Sequence, residues 1–235
     1  MKFNSVVMMT VLGVAASGLA VKTGSYVGLN AGYANLKING KMEDNQGGTT
    51  LPKIKKAKGG MQVNLFAGHE TVCTPNLIYG IEGSFGTSFE KIKQSFDVNG
   101  FGDDRTYKAR QVWKAGLAGL VGTPVTDRVT IYGKLGLVYG RFETKLYGNP
   151  AQMVGGAAPN QPGALYRTNT AHLVGIEPGV RLKMDLTENW STQVDASYAM
   201  YQKTQETAIN ENNVMKQLKY SPRVWGVTLG LSRKF

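Results

Sequence analysis

GIEPGVRLKMDLTENWSTQVDASY, residues Gly175 to Tyr198, decides the fold. Its first limb follows Val174 with Ile176, Pro178, Val180, Leu182 and Met184, separated by Gly175, Glu177, Gly179, Arg181 and Lys183. Its second limb is Trp190, Thr192, Val194, Ala196 and Tyr198, with Gln193, Asp195 and Ser197 among the residues between. Successive side chains of a strand point to opposite faces, so strict alternation reads as strand with one apolar face. Thr187-Glu188-Asn189 is turn chemistry, and it joins the two limbs into a hairpin.

The same period of two recurs on both sides of that hairpin. Upstream it runs through Val27 to Tyr33, Met61 to Ala67, Tyr79 to Phe85, Trp113 to Leu117 and Val129 to Tyr139. Downstream it runs from Trp225 to Leu231. These add up to eight strands. Every second connection is short: Cys73-Thr74-Pro75-Asn76, Thr123 to Asp127, and Thr187 to Asn189. The others, about 39–58, 97–106, 148–170 and 207–222, are long. Short turns at one end and long loops at the other are the pattern of an outer-membrane barrel. An even number of antiparallel strands lets the sheet close and removes unpaired edges.

Composition agrees. Glycine is 30 of 235 residues, about 13% against a usual ~7%, which disfavours helical bundles. One cysteine excludes an intrachain disulfide scaffold and a cysteine-rich zinc site. The mean hydropathy of −0.22 excludes a stack of membrane helices, but not a barrel in which alternate residues are polar. The start, MKFNSVVMMTVLGVAASGLA, carries Lys2, a short apolar run and small residues up to Ala20. It reads as a secretory signal peptide over 1–20, leaving a barrel domain over 21–235. Its apolar run is well short of the ~20 residues of a spanning helix. The net charge of +11 is dispersed over wall and loops behind a secretion signal, so nucleic acid is not implied.

The Gly175–Tyr198 stretch resembles a hairpin of the small OmpA-like outer-membrane barrels. That family has a Pro-Gly pair in the sixth strand, here Pro178-Gly179, and a Leu-Thr-x-Asn-Trp turn, here Leu186 to Trp190. An acidic or polar residue and an aromatic follow in strand seven, here Asp195 and Tyr198. The opening YVGLNAGYA, Tyr26 to Ala34, is similar too. The final strand ends at Phe235, which resembles the signal read by the barrel-insertion machinery, although Arg233 departs from that pattern. The resemblance covers the strands and not the loops. It implies an all-β, eight-stranded, antiparallel, up-and-down transmembrane barrel in the outer membrane of a Gram-negative bacterium, with short periplasmic turns and long extracellular loops. It also implies a monomer in contact with outer-membrane lipid and lipopolysaccharide.

With the apolar face toward lipid, the other face points inward. That places Asn30, Asn64, Glu70, Glu82, Arg110, Lys114, Lys134, Glu177, Arg181, Lys183, Gln193 and Asp195 inside. Eight strands enclose a space that side chains fill. Isolated buried charges are very costly, so Glu82, Glu177 and Asp195 are expected to pair with Lys114, Lys134 and Arg181. Such a network is either a structural plug or an ion gate. Tyr33, Phe85, Trp113, Tyr139, Trp190, Tyr198 and Trp225 are expected in interfacial girdles. A soluble barrel would turn the apolar face inward instead, and periodicity alone does not separate the two. The leader, the terminal aromatic, the unequal loops and the glycine-rich alternate face favour the membrane form.

The first loop groups Lys53, Lys55, Lys56 and Lys58 and nets about +3, a candidate contact for anionic lipid headgroups or sulfated host glycans. The second loop is acidic at Asp97, Asp103 and Asp104, and the third is rich in Gly, Pro and Asn. No cofactor, metal site or catalytic residue is expected: the two histidines, His69 and His172, lie at opposite ends, and no nucleophile elbow, phosphate loop or zinc motif occurs. The leading expectation is a structural, surface-exposed protein whose loops contact host glycans, proteins or other ligands. The alternative is a small pore for ions or minor solutes.

Overall fold

The computed structural model describes residues 23–44, 54–97, 104–148, 164–211 and 214–235. The expected signal peptide and Lys53 lie outside them. All regular elements among the described residues are strands: β1 (Gly24–Asp44), β2 (Ile54–Thr74), β3 (Leu77–Ser88), β4 (Lys91–Asp97), β5 (Asp104–Pro124), β6 (Val129–Gly148), β7 (Ala164–Asp185), β8 (Trp190–Tyr201), β9 (Thr204–Glu211) and β10 (Val214–Lys234). The ten strands make eight walls, because β3 continues into β4 past Phe89-Glu90 and β8 into β9 past Gln202-Lys203. Each wall pairs antiparallel with its sequence neighbour, and β1 pairs with β10 from Tyr26↔Lys234 to Asp44↔Lys216. The sheet is therefore a closed eight-walled antiparallel barrel.

The short turns are built from sequence. Thr126 Oγ1 accepts from the backbone N–H of Arg128 at 3.4 Å and Val129 at 3.1 Å. Thr187 Oγ1 repeats this with Asn189 at 3.4 Å and Trp190 at 3.1 Å. A threonine that satisfies the donors of its own turn reverses the chain locally. At the other end the strands run further than the periodicity indicates. β1 reaches Asp44, β2 starts at Ile54 and β7 starts at Ala164, so much of the expected long loops is strand. Lys55, Lys56 and Lys58 accordingly sit on β2, not in a loop.

Burial divides the barrel into two halves. In the half toward the short turns, Leu29, Leu65, Ile81, Leu117, Leu135, Val180, Val194 and Leu229 face outward and are exposed. The charged residues of these walls point inward. Two inward glycines make room for interior rings: a methyl on Gly28 lands on the Phe66 ring, and one on Gly122 lands on the Tyr132 ring. Toward the loops the arrangement reverses. Ala34, Leu36 and Ile38 of β1, Tyr220 and Val224 of β10, Ile92 of β4, Ala109 of β5, Val138 and Phe142 of β6, Leu173 of β7, and Ala199 and Tyr201 of β8 form one buried cluster. The β2–β3 ladder stops at Gln62↔Ser88 and the β7–β8 ladder at Gly175↔Tyr201. Beyond those points no ladder joins β2 to β4 or β7 to β9 among the described residues. The wall splits there into two sheets, β9-β10-β1-β2 and β4-β5-β6-β7, packed face to face as in a sandwich.

Candidate functional site

The centre of the lumen is an ionic belt. Arg181 of β7 grips Glu82 of β3 as a fork, Nη1 to Oε2 at 2.6 Å and Nη2 to Oε1 at 2.8 Å. Its Nε donates to Asp195 Oδ1 of β8 at 2.7 Å. Glu82 also accepts from Lys134 Nζ of β6 at 2.9 Å and from the Tyr26 hydroxyl of β1 at 3.0 Å. Gln193 Nε2 donates to Asp195 Oδ2 at 2.9 Å. A second pair joins Lys114 to Glu177 at 3.0 Å, with the Ser197 hydroxyl donating to the same carboxylate at 2.7 Å. A third joins Lys183 to Glu70 at 2.8 and 2.7 Å, nearer the turns. Glu70 and Lys183 lie on the expected inner face but outside the network read from sequence.

These pairs balance four carboxylates against four cations. Arg181 is only 1% exposed. Burying charges costs several kcal/mol per ion, so such a belt holds only when every donor and acceptor is met. The multidentate contacts at Glu82 satisfy both of its carboxylate oxygens. The belt links β1, β3, β6, β7 and β8 across the lumen, and Arg181 also lies 5.5 Å from the Phe66 ring centre.

Above the belt is a second polar layer. The Ser88 hydroxyl donates to Glu90 Oε1 at 2.8 Å, and Gln111 Nε2 donates to the Tyr201 hydroxyl at 2.8 Å. Burial pushes the Glu90 carboxyl above its ordinary value, and its Oε2 has no hydrogen-bond partner. Glu90 went unnoticed in the sequence. The signal was there, since Glu82, Ser84, Gly86, Ser88 and Glu90 share one parity. Above this layer the buried apolar cluster fills the space, with Leu36 and Ile92 almost fully inaccessible.

The outer surface carries aromatic bands at two levels. Near the turns are Tyr79, Trp190 and Phe235, all exposed. Toward the loops are Tyr33 against Trp225 at 5.6 Å and a group of Phe85, Trp113, Tyr139 and His172. His172 stacks on Tyr139 at 5.7 Å. Trp190 and Tyr198 bracket a band of about 27 Å along β8, of the length a barrel strand needs to cross hydrocarbon at a tilt. His69 Nδ1 lies 3.1 Å from Ser25 Oγ, and Cys73 is exposed by the first turn. Among the described residues no group of three His, Cys, Asp or Glu is arranged to hold a metal.

Arg110 is not inside. The β5–β6 register slips between Gln111 and Trp113, which inverts parity above that point. Such a bulge turns the following side chains to the other face. Gln111 and Ala109 point in, and Arg110 points out to Glu143 Oε2 at 2.9 Å. Lys145 meets the other oxygen of Glu143 at 2.8 Å. Contacts with Lys145 and Arg110 hold the Glu143 carboxyl below the usual range. Lys58 is exposed, and the side chains of Lys55 and Lys56 lie outside the described set.

The model for the outer membrane protein beta-barrel domain matches residues 5–235. The 31 kDa outer-membrane immunogenic proteins of Brucella melitensis and Brucella suis are each 22% identical over 91% of this chain and 83% of their own length. Among solved structures, OprG from Pseudomonas aeruginosa aligns with a TM-score of 0.50 at 12% identity, over 91% of this chain and 97% of that one. The outer membrane protease OmpT from Escherichia coli aligns with a TM-score of 0.54 at 10% identity, over 92% and 99%. At these identities the two structures speak for the fold alone. The match along nearly the whole chain, the closed barrel and its two aromatic bands lead to one conclusion: this chain belongs to the outer membrane protein beta-barrel family and resides in the outer membrane.

Proposed function

We propose that the protein is a plugged outer-membrane anchor that holds a rigid, surface-exposed platform for its loops. The observation that carries this is the apolar cluster around Leu36, Ile38, Ile92 and Phe142, which fills the outer half above a neutralised ionic belt. Glu82, Lys114, Lys134, Glu177, Arg181 and Asp195 are then structural ties between walls. Fixed pairs in a filled lumen favour rigidity over conduction. Immunogenicity of the Brucella relatives supports a surface role for this chain. The monomeric barrel displays loops for contact with host glycans or proteins, and the basic segment Lys53, Lys55, Lys56 and Lys58 is the part suited to anionic ligands. Phe235, exposed at the end of β10, acts as the insertion signal.

Planar-bilayer recording of the refolded chain tests this, with heat-modifiable gel migration showing that the barrel has closed. A closed, inserted barrel without conductance steps is expected. Steady steps that change when Glu82 or Lys114 is neutralised would overturn the plug and establish a gated pore.

A further inference from the structure

Lys55, Lys56 and Lys58 lie on a strand whose far side is open. Residues 54–60 of β2 pair with β1, from Gly40↔Ile54 to Ala34↔Gly60. On the other side the β2–β3 ladder begins only at Gln62↔Ser88. Phe89 N–H still donates to the Met61 carbonyl at 2.8 Å, and a methyl on Gly60 would land 2.6 Å from the Glu90 backbone nitrogen. Above that contact, no described strand pairs with the outer edge of residues 54–60. In an antiparallel pair, alternate residues turn both N–H and C=O away from the partner. About three residues of this stretch therefore offer a donor and an acceptor to a further strand.

The edge is basic. Lys58 is exposed although its cross-strand partner Leu36 is buried on the inner face. Positions 56 and 58 share that face by register, opposite Ile38 and Leu36. Across the seam, Lys91 and Lys93 of β4 are exposed on either side of buried Ile92. Lys58, Lys91 and Lys93 form no ion pair among the described residues. The second seam supplies a contrast. β7 and β9 part above Gly175↔Tyr201, where Gln202 N–H donates to the Val174 carbonyl at 2.9 Å. Along residues 164–173 and 202–211 the charges balance, Arg167 and Lys203 against Glu206 and Glu211. Along 54–60 and 89–97, five lysines face only Glu90 and Asp97.

Lysines on an open edge keep out neutral and basic strands, because like charges placed opposite one another destabilise a sheet. They leave one kind of occupant, an extended segment that carries carboxylates. A glycan meets the charges but not the row of backbone donors and acceptors. The same edge of a second copy sets lysine against lysine. We propose that residues 54–60 of β2 are a docking edge for an extended acidic segment of a partner protein, which joins the sheet β9-β10-β1-β2 as its next strand. Carboxylates two residues apart on that segment share a face, as positions 56 and 58 do. This rests on the surface-platform reading and names the class of partner for its basic segment.

The test uses the full refolded chain, checked for closure by heat-modifiable migration, and a synthetic peptide of alternating Thr and Glu. Fluorescence anisotropy of the labelled peptide reads binding, and hydrogen exchange reads its place. The peptide is expected to bind, more weakly as salt rises, and to protect amides of residues 54–60. Lys55→Gln, Lys56→Gln and Lys58→Gln together are expected to weaken it about ten-fold, whereas Arg167→Gln with Lys203→Gln leaves it. Lys58→Gln alone, at an exposed position, serves if the triple variant does not close. Two N-methylated peptides separate strand addition from charge contact without any variant. Methylating one alternate set of peptide amides is expected to abolish binding, and methylating the other set to spare it. Equal tolerance or equal loss across the two sets overturns the proposal. So does protection at residues 204–211 instead, heparin binding without peptide binding, or self-association of the chain that the peptide reverses. Conductance steps in a barrel that still binds the peptide with this alternation would refute the plugged platform and not the edge.

Discussion

The two halves of this barrel are inside-out versions of each other. Between the aromatic bands, apolar side chains face out and charges face in, because lipid is the outer solvent. Beyond the loop-side band, Leu36, Ile38 and Phe142 face in while Lys37, Arg110 and Arg223 face out, because water is the outer solvent. The same strands do both. In β1 the outward apolar residues Val27, Leu29 and Tyr33 are odd-numbered, and the inward ones Ala34, Leu36 and Ile38 are even-numbered. In β10, Val227 and Leu229 face out and Tyr220 and Val224 face in. The strand does not turn over. The apolar stripe crosses from one face to the other where the environment changes.

That contrast can be broken from either half. The largest effect is expected at the belt. Glu82→Ala leaves Arg181 and Lys134 buried without their shared carboxylate, which should cost about 3–5 kcal/mol in urea-induced unfolding in detergent or vesicles. Adding Arg181→Met should recover part of that loss, because the coupled pair is then gone together. Additive losses would mean that the two side chains are not coupled.

In the outer half, Leu36→Ala should cost about 2–4 kcal/mol through the cavity it leaves. Here the loss should be local: hydrogen exchange should rise in the loop-side parts of β1, β2 and β4 and stay unchanged around Glu82. Uniform acceleration along β1 would show that the halves unfold as one. Gly122→Val, between the two effects in kind, drives methyls into the Tyr132 ring and should cost about 1–3 kcal/mol by overpacking.

The smallest effect is a pH dependence. Glu90 has its folded-state carboxyl raised by burial, so the unfolded chain releases this proton first as pH rises. Its contribution to stability is complete below the ordinary glutamate value and is lost as pH climbs through the raised folded value. Loop-side hydrogen exchange should accelerate over that window, and Glu90→Gln should flatten the profile. A profile that is unchanged by Glu90→Gln would assign the dependence elsewhere.

The belt was legible in sequence because parity is a rigid consequence of strand geometry. Glu82, Lys114, Lys134, Glu177, Arg181 and Asp195 all follow from knowing which residues alternate with the lipid-facing ones. Which carboxylate meets which cation was not legible, because partners lie on walls far apart in sequence. Arg110 was misplaced because one bulge at Val112 inverts everything beyond it, and nothing in QVWKAG marks a slipped register. The outer sandwich was hidden for a different reason. Lys55 and Lys58 look like loop residues when a strand is recognised by one apolar face throughout, and here that face changes sides. The pairing of lysines across β4, β5 and β6 emerges only once register brings Lys93, Lys108 and Lys145 together.

The ladder that closes the barrel pairs Tyr26 with Lys234, residues near opposite ends of the described chain. Closing so long a loop carries a high entropic penalty, which makes slow, late formation of this contact the natural order of events. Until it forms, β1 and β10 are two bare edges at the ends of an otherwise complete sheet, open to pairing with any other chain. Protection of those two edges until first and last strand meet is what an assembly catalyst must provide.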